Sequence, residues 1–459
     1  MTPIRDDDPI RSDPREGSSP LAAGVTASVF AESSEPAVRK GMFSIFDQAV
    51  VSGANFLTLV IIARACSPAE VGVYALAWTV VMFLAAAQAN LISVPYTMYC
   101  HQREGGSLAE YGGSAIVHQL VFLAAAAACF IGLAALLSLG VGPSGLRPAA
   151  WVLSGVIPFI LLRDFARRFS FAHLALETAI VMDVAVTTLQ VAGLLVLWRL
   201  GLLSPAAVYG VMGAACAVAA AGWWLLRKQP ISFSREGIVR DWRRNWSFGR
   251  WALTGQMTGL AFYALPWLLA IVRGEAETGK LAACTTLVGL SNLFVMGLNN
   301  FLMPKAARAF ARDGARALGG VLRKASFASA GVLGSLCVGV FLVGDLVARI
   351  VFGPMYADTG TLLTVLALAA LTDSLGQTAG AGLWALDRPA ANFAADLVQV
   401  SVTLGAAIWL VFSLGALGVA IAIVAGRVVG ATVRWIILWG LMEHGRRRSA
   451  ANSYQAIRQ

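Results

Sequence analysis

Two arginines in the last long apolar stretch of the chain are the side chains best suited to hold an anionic ligand. Arg427 and Arg434 are seven residues apart in the run 415–442, with Gly430 between them. Residues at this spacing share one face of an α-helix. Arginine keeps its charge and binds phosphate through a planar fork of N–H donors. The pair therefore predicts either a phosphate-binding site or ion pairs with aspartates of a neighbouring segment.

Aspartates for the second alternative lie in the two preceding apolar runs. Asp373 and Gln377 are four residues apart in the run 359–385. In the run 391–413, four polar residues fall within an arc of about 60° on a helix. A charged group inside a bilayer is costly and is expected to face the bundle interior or a wet cavity, so the sequence leaves both alternatives open. The four polar residues are Asn392, Asp396, Gln399 and Thr403.

The first apolar run, 43–63, carries a one-sided polar stripe that covers about 140° of a helix. Either these residues form hydrogen bonds between helices, or they line a cavity in which Asp47 binds a proton or a sodium ion. Another acid, Asp183, lies in the fifth run, and four aspartates against two arginines give the apolar runs a net charge of −2. The stripe consists of Asp47, Gln48, Ser52, Asn55 and Thr58. The predicted substrate-binding or coupling residues are Asp47, Gln48, Asn55, Asp183, Asp373, Asp396, Arg427 and Arg434.

The composition indicates which elements position these residues. Of the 459 residues, 58% are hydrophobic and 13% are charged. In a soluble protein about a quarter of the residues are charged, and polar side chains are needed to cover its surface. We therefore predict a polytopic membrane protein rather than a soluble enzyme. The net charge of +10 then concerns orientation in the membrane, not nucleic acid.

Twelve apolar runs have about the length that a spanning helix needs, roughly 20 residues. With a cytoplasmic N-terminus, 27 of the 35 Lys and Arg residues fall on the cytoplasmic side, six in external loops and two in the last run. This asymmetry predicts that both termini are cytoplasmic. The fourth run is short and is expected to extend toward Phe171. The runs are 43–63, 71–94, 114–138, 148–162, 177–198, 204–226, 247–272, 281–303, 325–344, 359–385, 391–413 and 415–442.

Similar residues recur at a nearly constant offset of 207 to 213 positions, which predicts a duplicated six-helix unit. We expect a disordered cytoplasmic tail at 1–38, six-helix bundles at 39–226 and 247–442, a cytoplasmic linker at 227–246 and a basic cytoplasmic tail at 443–459. The matched pairs are Gly72 with Gly279, Pro95 with Pro304 and Asp183 with Asp396.

Two stretches of the chain resemble a known family. Residues 46–77, FDQAVVSGANFLTLVIIARACSPAEVGVYALA, look like the start of Wzx-type polysaccharide flippases of the multidrug/oligosaccharidyl-lipid/polysaccharide (MOP) exporter superfamily. Residues 167–183, RRFSFAHLALETAIVMD, are similar to those proteins as well. The resemblance implies an all-α polytopic membrane protein with 12 transmembrane helices in two six-helix bundles, the MATE-like fold. It also implies transport by alternating access between the two bundles.

The expected function is a flippase for a polyprenyl-pyrophosphate-linked oligosaccharide in the inner membrane, serving exopolysaccharide or surface-glycan biosynthesis. The alternative is an ion-coupled multidrug or organic-cation antiporter of the same superfamily. Expected partners are membrane lipids, the lipid-linked substrate and other glycan-assembly proteins, without nucleic acid. No cofactor beyond H⁺ or Na⁺ coupling and no metal site are expected. No enzymatic activity is expected either, because all external loops are short. The GEAETGK stretch at 274–280 lacks the Ser or Thr of a nucleotide-binding loop, since Leu281 follows it.

Overall fold

A computed structural model describes the backbone of residues 34–227 and 229–458, with side chains from 50 to 443 except at 228, 255, 257, 258 and 260. Residues 34–49 are helical, and Val50–Gln459 form one compact unit. Twelve long helices, α1 to α12, make up this architecture, and the described chain contains no strand. The prediction of an all-α, twelve-helix chain is confirmed. Which end of the bundle faces the cytoplasm stays a prediction.

The helices follow one another with short turns. The first six are α1 Ser34–Ala65, α2 Pro68–Cys100, α3 Gly105–Ser138, α4 Leu146–Ala172, α5 Leu176–Arg199 and α6 Pro205–Leu226. A π-helical turn, Ala89–Ser93, lies within α2. Helix α7 comprises Arg235–Leu260, Ala261–Tyr263 and Ala264–Arg273, and α8 comprises Glu275–Gly289 and 292–313. The last four are α9 315–352, α10 Gly360–Ala385, α11 389–414 and α12 416–458.

The lengths of the apolar helices agree with the thickness of a membrane. Eight helices of the described chain are long and apolar enough to span a bilayer. Two of these eight, Asn292–Phe352 and Pro389–Glu443, are each divided by a glycine in a non-helical conformation, Gly314 or Gly415. Shorter apolar helices occur at Val50–Ala65 and Ala261–Arg273. The protein is therefore a multi-pass membrane protein.

Several predicted boundaries were too short. The fourth run ends at Ala172, which agrees with its expected extension. The segments 227–246 and 304–324, which separate predicted apolar runs, were expected to be loops but are helical in large part. Helix α7 begins at Arg235, and α8 and α9 continue through 304–324. Both are polar extensions of apolar helices, where intrahelical hydrogen bonding continues after hydrophobicity has fallen. Of the predicted tail 1–38, residues 1–33 lie outside the described part of the chain. Residues 34–38 belong to helix α1.

The turns of the two halves match one another, which supports the predicted duplication. The halves are defined here as α1–α6 and α7–α12. Backbone positions with positive φ, a region that most residues avoid, recur between them at offsets of 209 to 214 residues. One of these pairs consists of the two non-glycine residues with positive φ in the described chain. The pairs are Gly105 with Gly314, Gly142 with Gly353, Leu174 with Asp387, and Gly201 with Gly415.

Two glycines allow the halves to meet at one end of the molecule. We call it the outer end, since the charge distribution predicts it to be external. A Cβ atom added at Gly72 of α2 would lie 1.8 Å from the carbonyl oxygen of Glu275 in α8. One added at Gly279 would lie 1.9 Å from the carbonyl oxygen of Pro68. The contact is thus reciprocal between the two repeat positions, and it requires glycine on both sides.

Further contacts close this end. The Arg64 guanidinium, at the end of α1, donates from Nε to the carbonyl oxygen of Val351 in α9 at 2.8 Å. The indole Nε1 of Trp267 in α7 donates to the Thr79 hydroxyl of α2 at 2.7 Å. Cys66 lies buried in the apolar cluster that combines residues of both halves. These contacts keep the halves together at the outer end.

The turn between α7 and α8 is also tied to the turn between α11 and α12. The Glu277 carboxylate accepts a hydrogen bond from the backbone N–H of Ala416 at 3.1 Å. The Arg273 guanidinium donates to the carbonyl oxygens of Val411 at 3.2 Å and Phe412 at 2.6 Å. Together these bonds satisfy carbonyls at the end of α11 and a donor at the start of α12.

Candidate functional site

Arg427 and Arg434 of α12 are both ion-paired. The Arg434 guanidinium contacts the carboxylate of Asp396 in α11 and donates to the Gln399 side-chain oxygen at 3.3 Å. Arg434 is 12% exposed and Asp396 is 42% exposed, so the pair has one face open. Of the two alternatives drawn from the sequence, this conformation contains the ion pair.

Arg427 takes part in a longer polar chain. Its Nη1 donates to the carbonyl oxygen of Ala369 at 3.0 Å, and its Nε lies 3.6 Å from Oδ1 of Asp373 in α10. The other oxygen of Asp373 accepts from the Gln377 amide at 2.6 Å, and the Gln377 oxygen accepts from the amide of Asn299 in α8. The Arg427 Nε is buried and has no hydrogen-bond partner among the described residues. This N–H donor therefore faces the Asp373 carboxylate at ion-pair distance without forming a hydrogen bond.

Glycines in α12 bring α11 close enough to form these pairs. A Cβ atom added at Gly426 would lie 1.9 Å from the Thr403 hydroxyl, and one added at Gly430 would lie 2.6 Å from the Gln399 side-chain oxygen. Small residues that let helices approach closely are typical of membrane helix pairs. The GxxxG spacing of 426 and 430 thus serves packing within the C-terminal half.

The N-terminal half contains a second buried cluster around Asp183 of α5. Its carboxylate is 1% exposed. Oδ1 contacts the Arg163 guanidinium, and Oδ2 accepts from Nε of Arg167 at 2.7 Å. Arg163 and Arg167 are one turn apart on α4, so both reach the same acid. A carboxylate this deeply buried requires such cationic partners.

Arg163 also lines a small cavity of about 110 Å³ between α1, α2, α4, α5 and α6, whose lining is mostly apolar with a few polar residues. The Arg163 Nε is buried and, like that of Arg427, has no hydrogen-bond partner within the described part of the chain. Beside it, Asp164 pairs with Arg168 at 2.8 Å. The polar residues of the lining are Asn55, Arg163, Asp164, Thr187 and Gln190. The cavity thus combines a cation, an anion and neutral hydrogen-bonding groups.

Only part of the predicted stripe on α1 is described. Asn55 is exposed and lines the cavity, and the Thr58 hydroxyl is fully buried and accepts from the Gln190 amide at 2.8 Å. Thr58 therefore forms a hydrogen bond between helices and Asn55 lines a cavity, while binding of a proton or a sodium ion by Asp47 stays a prediction. The side chains of Asp47 and Gln48 lie outside the described residues.

Arg163 and Arg167 were missed by the sequence prediction because they were counted among the cytoplasmic charges, although the fourth run was expected to extend toward Phe171. They lie on α4, which continues to Ala172. Counting them changes the net charge of −2, because two arginines contact Asp183 and one each contacts Asp373 and Asp396. The spacing of 163 and 167, two arginines on one helix face, was the signal that indicates a buried acid opposite.

Comparisons with known proteins bear on the fold. No family model matches the chain, and no curated protein matches it. Solved structures do. An inward-facing multidrug resistance MATE family transporter of the MOP superfamily has a TM-score of 0.71 at 16% identity, over 87% of this chain and 96% of that chain. Lipid II flippase MurJ, in an inward closed conformation, has a TM-score of 0.69 at 12% identity, over 87% of each chain.

A third match is a MOP superfamily transporter from Pyrococcus furiosus, described as having a binding pocket of reverse polarity. Its TM-score is 0.60 at 15% identity, over 88% of this chain and 95% of that chain. The three matched proteins are transporters or flippases. At these identities the likeness shows the fold, and the chain has the fold of MOP superfamily transporters. The MATE-like fold implied by the sequence resemblance is confirmed.

Proposed function

We propose that this protein flips a polyprenyl-pyrophosphate-linked oligosaccharide from the cytoplasmic to the external leaflet by alternating access. The observation that carries the proposal is a feature shared by the two halves. Arg163 and Arg427 each hold an aspartate, and each keeps a buried Nε–H without a hydrogen-bond partner among the described residues. Guanidinium groups with a remaining donor suit a pyrophosphate, which offers several oxygens.

Neutral groups around Arg163 suit the sugar part of the substrate. Asn55, Thr187 and Gln190 offer amides and a hydroxyl, which donate to and accept from sugar hydroxyls. The described cavity of about 110 Å³ is small for an oligosaccharide, so the helices of the N-terminal half that line it must move apart to admit one. Similarity of fold to a lipid II flippase supports this class of substrate. H⁺ or Na⁺ coupling would supply the energy, with Asp47 as the proposed coupling acid.

The test is export of surface glycan in a strain that lacks the gene and carries variants of it. Arg163→Gln and Arg427→Gln each remove one charge-assisted contact of about 1.5–3 kcal/mol, which corresponds to about a tenfold or larger loss of transport. Arg199→Gln is the matched control, since this arginine is exposed at the end of α5 and lies outside both clusters and the cavity lining. Lipid-linked oligosaccharide should accumulate with the first two variants. Normal export with both, at equal protein levels, would contradict the proposal.

The second candidate is a multidrug or organic-cation antiporter. It is favoured by the open carboxylates of the C-terminal half, where Asp396 is 42% exposed and Asp373 is 27% exposed. A cationic drug would bind there in place of an arginine. Drug resistance on expression that is lost with Asp396→Asn, without any glycan phenotype, would support this function over the flippase.

A further inference from the structure

The first turns of α7 pack against the N-terminal half, and the face that they bury there is polar. Asp241 and Asn245 are both 0% exposed. Asp241 pairs with Arg103 at 2.7 Å, and Asn245 accepts from the Tyr111 hydroxyl at 2.8 Å. One turn earlier, Nε2 of His118 bonds to the carbonyl oxygen of Ile238 at 3.0 Å. These contacts fix which face of the helix points outward.

The outward face is strongly basic. Five arginines between 235 and 250 are exposed, and the single exposed acid of that stretch in the described structure is Glu236. Asp241 is buried, and its charge is balanced by Arg103 at 2.7 Å, with Arg240 at 3.6 Å. The exposed face therefore carries a clear positive excess. The arginines are Arg235, Arg240, Arg243, Arg244 and Arg250.

Tryptophans alternate with these arginines. The rings of Trp242 and Trp246 stack with centroids 6.0 Å apart and are 39% and 45% exposed. Trp251 is 70% exposed, and Arg250 lies over its ring. At the end of α6, Arg227 lies over the exposed ring of Trp224 in the same way. Exposed indoles beside cations are typical of the boundary between membrane and water.

The position of this face in the chain selects its partner. Helix α7 continues from the basic turns into the apolar helix Ala261–Arg273, so the face lies where the chain enters the bilayer. A lipid headgroup layer is thus its immediate neighbour. Positive charge at that depth attracts anionic lipid over zwitterionic lipid. We propose that the exposed face of residues 235–251, the basic-aromatic face, binds the headgroups of anionic phospholipids. This inference does not depend on the transported substrate.

The test is lipid binding to the purified full-length protein after delipidation, measured by native mass spectrometry with phosphatidylglycerol and with phosphatidylcholine. Each arginine near a charged surface corresponds to about a fivefold change in affinity. The triple variant R235Q/R240Q/R243Q should therefore lose roughly a hundredfold in affinity for phosphatidylglycerol and little for phosphatidylcholine. W242A/W246A should weaken binding of both lipids.

The matched control is R308Q/R312Q/R316Q, which removes three exposed arginines from the basic turns of α8 and α9. No tryptophan accompanies these arginines in the sequence 304–324. Because no indole ring holds these arginines at the headgroup layer, the control should lose less affinity for phosphatidylglycerol than the first triple variant. Equal losses in the two triple variants, or equal affinity of the unmodified protein for both lipids, would overturn the proposal. Monodisperse elution of every variant shows that the comparison is made between folded proteins.

Discussion

A methyl group at Gly72 should open the outer end of the molecule. The added Cβ would lie 1.8 Å from the carbonyl oxygen of Glu275, whereas ordinary contact begins at 3.4 Å. Helices α2 and α8 must therefore separate by about 1.6 Å, because the added Cβ atom is fixed to the backbone of α2 and the carbonyl oxygen belongs to the backbone of α8. Overpacking of this kind costs about 1–3 kcal/mol. Because the cost arises only while the end is closed, Gly72→Ala should raise the open population by about 5-fold to about 140-fold.

Cys66 provides a native reporter of this opening. It lies in the turn between α1 and α2, and its side chain is 4% exposed. Burial, helped by the nearby Glu70 carboxylate, raises the pKa of the Cys66 thiol to about 12. At pH 8 a thiol with that pKa is ionised in about one molecule in ten thousand, and the thiolate is the reactive form. Opening exposes the thiol and returns its pKa toward the ordinary value, so both effects raise the labelling rate.

The assay is labelling by a membrane-impermeant maleimide in intact cells, with the other five cysteines replaced by alanine. Complete labelling after unfolding in detergent defines the endpoint. Gly155→Ala is the matched control, because nothing lies within 4 Å of a Cβ atom added there. We expect Gly72→Ala to label at least fivefold faster than this control. Equal rates in the two variants would refute the idea that the glycine contact holds the outer end closed.

Further variants test the two ion-pair clusters and their packing. Asp183→Asn removes the buried acid of Arg163 and should lower stability by about 3–5 kcal/mol, seen as a reduced melting temperature in detergent, while Arg168→Gln changes it little. Gly430→Ala places a methyl 2.6 Å from the Gln399 side-chain oxygen and should cost about 1–3 kcal/mol by the same measurement. Gly405→Ala, with open space around its added Cβ, should be neutral or stabilising, and an equal loss there would contradict the packing argument.

Hydrophobicity predicted the helices well because each crossing requires about 20 apolar residues. It predicted their ends poorly, since a helix continues wherever its backbone bonds form. The basic turns from Arg235 to the membrane were therefore interpreted as a loop, although they are helical. Likewise, a turn position such as Leu174 could not be predicted, because leucine rarely adopts positive φ.

The sequence predicted part of the two ion-pair clusters, because charged residues stand out within apolar runs. Arg434 and Asp396 lie within apolar runs, where any charge is conspicuous and must find a partner. Arg163 lies just beyond the end of such a run, so its charge was assigned to a loop. Whether an arginine retains a free donor depends on bond directions within tenths of an ångström. That information is absent from the order of residues.

The bonds between the α7–α8 turn and the α11–α12 turn have a mechanical consequence. Glu277 and Arg273 fasten the tip of one helical hairpin to the tip of the other. Arg427 lies 12 residues beyond Gly415, or about 18 Å along α12. We therefore expect α12 to pivot at the outer end. A small tilt of α8 at the glycine contact should then cause a larger sideways displacement of the guanidinium groups deep in the membrane.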